Sequence, residues 1–315
     1  METLSKIISL FLLIPGLLGL YKNDSKDTEE NFRAVVDTIG YENTIETAKA
    51  QTEIYDIIID HYNSALPKGK TEKKAIVIGF DGCRADALTL SDNCTSGVKK
   101  MLDEGASLEL YYCGGVNYPD GENTQATSTA PGWCSLLTGQ WADKTGVYGN
   151  GQPKNLEYKT LMTELTENGT IDSAAFITKW GGHFTDEDGT YIHEKKYCED
   201  KGLDVDFIKT SGNVASASKT ISDIRQKDCS DFIIAIYEGT DGAGHSFGFS
   251  LNDPCYQAGY RLQDTLALAT INAIEGRDTF DTEDWLIIIS SDHGGFSTGH
   301  GGPTIQERMV FTVIK

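Results

Sequence analysis

No Cys-x-x-Cys pair and no zinc-finger spacing occur among the seven cysteines, Cys83, Cys94, Cys113, Cys134, Cys198, Cys229 and Cys255. Neither a disulfide framework nor a Cys-ligated metal is therefore expected, and the odd number leaves at least one thiol unpaired within the chain. Basic residues are scarce: 27 Lys and Arg stand against 47 Asp and Glu, a formal charge of -20. No local basic patch offsets it, so a nucleic-acid polymer is not an expected partner. An anion site in so negative a chain must bring its own positive charge, from metal ions or from a few Lys and Arg. Internal repeats and low-complexity tracts are lacking too. A hydrophobic content of 39% over 315 residues is that of an ordinary globular protein rather than a disordered one.

Long apolar runs are missing with one exception. Behind Lys6, the stretch from Ile7 to Tyr21 is uncharged and apolar, as in a signal-peptide core or a short membrane anchor. It is short for a span, and no small-x-small cleavage site accompanies it. Residues 1–22 are read as a leader, with an extracytoplasmic or membrane-anchored location. The alternatives are an amphiphilic helix packed on the domain and a cytoplasmic location. Residues 23–74 are polar with helical periodicity, as in "YDIIIDHYNSAL", and "PKGKTEKK" reads as a linker into a catalytic domain over 75–315.

From Ala75 onward, apolar runs suited to buried parallel strands alternate with helical stretches. The strand candidates are "AIVIGF", "LELYY", "SAAFIT", "DFIIAIY", "WLIIIS" and "MVFTVI". Helical patterns lie between them, at "SGVKKMLDEG", "LEYKTLMTELTENG", "NVASASKTISDIRQKD" and "CYQAGYRLQDTLALATINAIEG". The alternation predicts an α/β fold, a three-layer α/β/α sandwich with a mostly parallel sheet, whose ligands sit beyond the carboxyl ends of the strands.

Polar residues fall at those ends. Asp81 follows "AIVIGF", Asp241 and His245 follow "DFIIAIY", Asp292 and His293 follow "WLIIIS", and His300 stands in the next glycine-rich loop. A lone Asp at a strand end is usually a turn former or helix cap. Three carboxylates and three imidazoles at one sheet edge are instead a donor set for divalent cations such as Zn²⁺ or Mn²⁺, and six ligands exceed what one tetrahedral zinc needs. Two divalent ions are the expectation. The candidate nucleophile is Thr129 in "TSTAPGWCSLLTG", in the N-cap region of a helix whose first turn Pro131 favours. There the helix N-terminus stabilises an anion, and a divalent cation lowers the pKa of a hydroxyl. Simple N-capping is the alternative role for Thr129.

The order "FDGCRAD", "TAPGWCSLLTG", "DGAGHSFG", "SDHGG" and "GHGG" resembles the alkaline phosphatase superfamily, and within it the type I phosphodiesterase / nucleotide pyrophosphatase group, over Ala75 to the C-terminus. The resemblance implies an alkaline phosphatase-like fold and one metal held by Asp81, Thr129, Asp292 and His293. It assigns Asp241, His245 and His300 to a second metal, the pair being usually zinc and sometimes manganese. Thr129 would attack a small phosphate ester and form a covalent phospho-threonine that water then releases. The resemblance also places a phosphoryl-contacting Asn three residues past the nucleophile, where this chain has Gly132, so backbone N–H groups or another side chain must serve. "FITKWGGHF" is similar to an anion-contacting Lys-Trp-His element and nominates Lys179 and His183. A sulfatase needs Cys or Ser at the nucleophile position with an Arg four residues on; Thr129 and Trp133 stand there. The stretch between Asn150 and Asp231 is enough for sheet elements and a small excursion, which does not point to the inserted cap domain of a mutase. Phosphodiester or pyrophosphate hydrolysis leads. A phosphomonoesterase, a phosphonate hydrolase and a non-catalytic metal-binding, membrane-associated protein are the alternatives.

Overall fold

The computed structural model describes residues 27–91, 95–114 and 125–315; the apolar leader and Cys94 lie outside them. Eight strands form one sheet: β1 (Lys49–Ala50), β2 (Glu72–Phe80), β3 (Ser107–Tyr112), β4 (Ala174–Thr178), β5 (Val205–Lys209), β6 (Phe232–Tyr237), β7 (Glu283–Ser290) and β8 (Met309–Ile314). Their spatial order is β1-β3-β8-β7-β2-β6-β4-β5. Only β8 runs antiparallel to its neighbours. All six runs read as strands in the sequence are strands here.

Side-chain alternation along β2 divides the core in two. Ile76, Ile78 and Phe80 join a cluster with Val98, Met101, Ala217, Tyr260 and Ile271, which come from helices Gly97–Asp103, Asn213–Ile224 and Pro254–Glu275. Ala75 and Val77 face the other way, onto Ile54, Ile58, Trp133, Leu137 and Met162 of helices Glu53–Asn63, Thr129–Thr138 and Leu161–Glu167. Helices thus cover both faces, giving the three-layer sandwich. Each fully buried large aliphatic or aromatic side chain contributes roughly 1.5–3 kcal/mol of transfer free energy. Because β2 lies between β7 and β6 and parallel to both, with Phe80 opposite Tyr237 and Gly79 opposite Ser290, three strand ends open side by side.

Residues 27–74 share this core. Phe32 and Val36 of helix Glu29–Val36 pack with Ala85, Leu110 and Met309. Ile54, Ile58 and Tyr62, spaced four apart on helix Glu53–Asn63, lie beneath the sheet. Lys49–Ala50 pairs with β3, and "PKGKTEKK", read as linker, supplies the first three residues of β2. The sequence reading missed edge strand β5, whose residues are all partly exposed or exposed, and the polar helix Ile192–Lys201. Among the described residues no helix is long and apolar enough to cross a membrane. The six described cysteines are all free.

Candidate active site

Each of the three strand-end carboxylates is fixed by the fold and still has an oxygen to spare. Asp81, one residue past β2, accepts a hydrogen bond at Oδ2 from Trp133 Nε1 (3.1 Å). Trp133 reaches it because a Cβ on Gly79 would stand 2.4 Å from the indole ring; the bare glycine leaves that space. Asp292 accepts at Oδ1 from the backbone N–H of Gly82 (3.1 Å), and its buried Oδ2 has no hydrogen-bond partner. Asp241 Oδ1 is likewise buried without one. Gly82 has φ +66°, and a Cβ there would lie 2.7 Å from the Cβ of Asp241, so a side chain would push the Asp81 and Asp241 turns apart.

The imidazoles share one pattern. Nδ1 faces a backbone carbonyl in each: Gly294 O for His293 (2.6 Å), Thr298 O for His245 (3.1 Å) and Thr127 O for His300 (3.1 Å). This assigns the proton to Nδ1 and leaves the Nε2 lone pair pointing inward. His293 Nε2 lies 3.7 Å from Asp81 Oδ1 and 3.5 Å from Asp292 Oδ2. His245 and His300 place Nε2 at 3.4 and 3.6 Å from Asp241 Oδ1 and 3.0 Å from each other. Asp241 and His245 sit four residues apart on helix Gly239–Phe247, an element absent from the sequence reading, so both reach one face.

Burial pushes the Asp81 and Asp292 carboxyls well above the usual range, and neighbouring carboxylates push them further. Burial holds His293 well below its ordinary value, and His300 below it. Among the described residues, the only ion-pair partners of the three aspartates are these imidazoles. Unpartnered buried carboxylate oxygens, inward lone pairs and no Lys or Arg are what a divalent cation satisfies. The donors form two overlapping groups, Asp81–Asp292–His293 and Asp241–His293–His300, with atoms within 4.8 Å in each. The residues fit metal ions. His293 stands in both groups, whereas the sequence reading gave it to one.

Thr129 is the first residue of its helix, and Ser128 occupies the N-cap position without a side-chain capping bond. The Thr129 hydroxyl does not cap. It faces inward, 3.3 Å from His293 Nε2 and 3.5 Å from Asp81 Oδ1.

The other nominated residues fare differently. A Cβ at Gly132 would lie 2.5 Å from the carbonyl oxygen of Asp292, so Gly132 is the residue that lets this helix abut the Asp292 backbone, and no Asn fits there. The nearby amide is Asn150, which the sequence reading missed: exposed in "YGNGQ", it accepts at Oδ1 from Ala130 N (2.9 Å), next to Thr129. Lys179, at the end of β4, is partly exposed with Nζ 3.1 Å from Glu238 Oε2. His183 does not line the site. It is fully buried among Phe176, Trp180, Phe184 and Tyr191, with neither ring nitrogen hydrogen-bonded.

Burial lowers the His183 pKa to about 3. Unfolding restores about 6.5, so the stability this neutral ring carries is intact above that pH and drains away as pH falls toward 3, by up to roughly 4 kcal/mol. Urea midpoints at pH 7 and pH 4 should therefore lie closer together in His183→Leu than in the parent; an equal drop in both would refute this.

A family model described as type I phosphodiesterase / nucleotide pyrophosphatase matches residues 75–300. No curated protein matches the chain. Among solved structures, murine ectonucleotide pyrophosphatase / phosphodiesterase 5 is 19% identical, with a TM-score of 0.46 over 70% of this chain and 57% of that one. A 2-O GAG sulfatase is 10% identical, with a TM-score of 0.52 over 77% and 63%. The C-terminal periplasmic domain of a phosphoethanolamine transferase from Campylobacter jejuni is 13% identical, with a TM-score of 0.49 over 78% and 79%. The chain thus spans less than two thirds of the first two structures, and the likeness to the sulfatase is one of fold.

Proposed function

The chain belongs to the type I phosphodiesterase / nucleotide pyrophosphatase family, and from that premise we propose that it hydrolyses a phosphodiester or pyrophosphate bond at a two-metal centre, with Thr129 as nucleophile. The observation that carries this reading is the common orientation of the three histidines, Nδ1 on a backbone carbonyl and Nε2 toward carboxylate oxygens, with the Thr129 hydroxyl 3.3 Å from the Nε2 of one of them, His293. Asp81, Asp292, His293 and Thr129 would hold one ion and Asp241, His245 and His300 the other. Bound there, two divalent cations would withdraw charge from the phosphoryl oxygens and ease ionisation of the Thr129 hydroxyl; zinc suits the nitrogen-rich set and manganese is the alternative.

Thr129 Oγ1 attacks phosphorus in line with the leaving oxygen. The Oγ1–P bond forms as the P–O bond to the leaving alcohol or phosphate breaks, and that oxygen departs with the electron pair. Water then attacks the phospho-threonine and frees the hydroxyl. Around the transferred group, the amino-terminal end of helix Thr129–Thr138 favours negative charge. Asn150 has its Oδ1 engaged by Ala130 N, which leaves its Nδ2 hydrogens to donate to a phosphoryl oxygen. The apolar stretch behind Lys6 supports an extracytoplasmic or membrane-anchored location.

Charge favours a diester over a monoester. A monoester brings an extra negative charge, and the one lysine nominated at this edge, Lys179, is already matched by Glu238. Turnover of aryl phosphodiester, phosphomonoester, phosphonate and sulfate esters by zinc- or manganese-loaded protein tests this. The diester should be hydrolysed fastest and the sulfate ester not at all. Turnover of the monoester alone would overturn the diester assignment, and inertness toward all four would overturn the hydrolase.

A further inference from the structure

The segment ahead of the family match sends one side chain to the metal-ligand loop. Gln51, fully buried between β1 and helix Glu53–Asn63, donates from Nε2 to the carbonyls of Ser291 (2.9 Å) and Asp292 (3.2 Å). Those carbonyls lie just past β7, where the sheet no longer supplies donors; the last β7–β8 pair is Ser290 with Thr312. One carboxamide, with two hydrogens on one nitrogen, serves both. Its own backbone N–H is tied to Tyr112 O (3.0 Å), which fixes where the side chain starts. The Asp292 carbonyl is closed in on another side by Gly132.

Gln51 Oε1 is buried with no partner. An unsatisfied buried acceptor costs about 1–3 kcal/mol, so a residue chosen only for packing would not be an amide. We propose that Gln51 is a positioning residue for the metal centre, holding the Ser291–Asp292 backbone so that Asp292 Oδ2 is presented to the ion shared with Asp81 and His293. The inference rests on the two-metal reading above. It adds to that reading a residue outside the matched span of 75–300.

Metal-free protein titrated with Zn²⁺ against a competing chelator tests it, with Asp292→Asn and Asp241→Asn assigning the two binding steps. The parent should bind two ions. Gln51→Met, similar in length but without the donor, should weaken the step lost in Asp292→Asn by about 10–100-fold and leave the other step unchanged. Both steps unchanged, or both weakened alike as general loss of structure would do, would overturn the positioning role. A parent that binds no zinc would instead overturn the metal-centre reading. Should Gln51→Met not fold, NMR of the parent decides: the Gln51 side-chain amide protons should be protected from exchange and shift on adding Zn²⁺, and their failure to do either would overturn it.

Discussion

Thr129→Ala should lose diesterase turnover by on the order of 10³-fold or more while keeping the melting temperature and metal content of the parent. The separation of effects follows from where the hydroxyl is. Ser128, not Thr129, stands at the N-cap, so the substitution removes no helix cap, which would otherwise cost about 1 kcal/mol. What disappears is an oxygen 3.3 Å from His293 Nε2 and 3.5 Å from Asp81 Oδ1, both separations long for hydrogen bonds and worth little to stability. Alanine is also a better helix former than threonine. Thr129→Ser keeps the hydroxyl and should restore most of the turnover. Steady-state rates on an aryl diester, with melting curves and metal analysis of the same samples, decide the matter. Alanine protein that retained a tenth of parental turnover would end the covalent mechanism, and one that also lost its metals would show the hydroxyl to be chiefly a ligand.

The parts of this site that could be read from the sequence are those that local pattern determines. β2, β6 and β7 are apolar runs that stop at polar residues followed by glycine, and in a parallel sheet such stops share an edge. That pattern alone puts Asp81, Asp241 and Asp292 together. Helix Gly239–Phe247 was hidden because its three glycines depress helix propensity, although Asp241 and His245 already had the spacing of one helical turn. Trp133, Asn150 and Gln51 carried no local signal. Their roles come from contacts with Asp81, Ala130 and the Asp292 backbone, 52, 20 and 241 residues away. His183 misled for a related reason: "FITKWGGHF" resembles an anion-contacting Lys-Trp-His element, and only the packing of four aromatic rings shows this histidine to be core. Gly132 marks the limit of arguing by resemblance, since the backbone of Asp292 fills the space an asparagine would need.

Chelation should lower the melting temperature by on the order of 10 °C, because a ligand present at a thousand times its Kd adds about 4 kcal/mol to the folded state and each kcal/mol moves a domain of this size a few degrees. The sign of the pH dependence follows from the two raised carboxyls. At pH values below the ordinary carboxylate pKa near 3.9, Asp81 and Asp292 are protonated in both states and cost nothing. As pH rises past it, the unfolded chain releases those protons while the buried pair resists, so the metal-free protein loses stability until the folded carboxyls ionise as well. Cations reverse this, since they bind the ionised form and expel the protons. His293, held neutral by burial, needs no deprotonation to ligate. The gap between loaded and chelated protein should therefore widen from pH 5 to pH 8. Calorimetric melts with and without chelator at the two pH values measure it. Coincident melts at pH 8 would mean that the buried carboxylates are satisfied without a metal, and the two-ion account of their orphaned oxygens would fall.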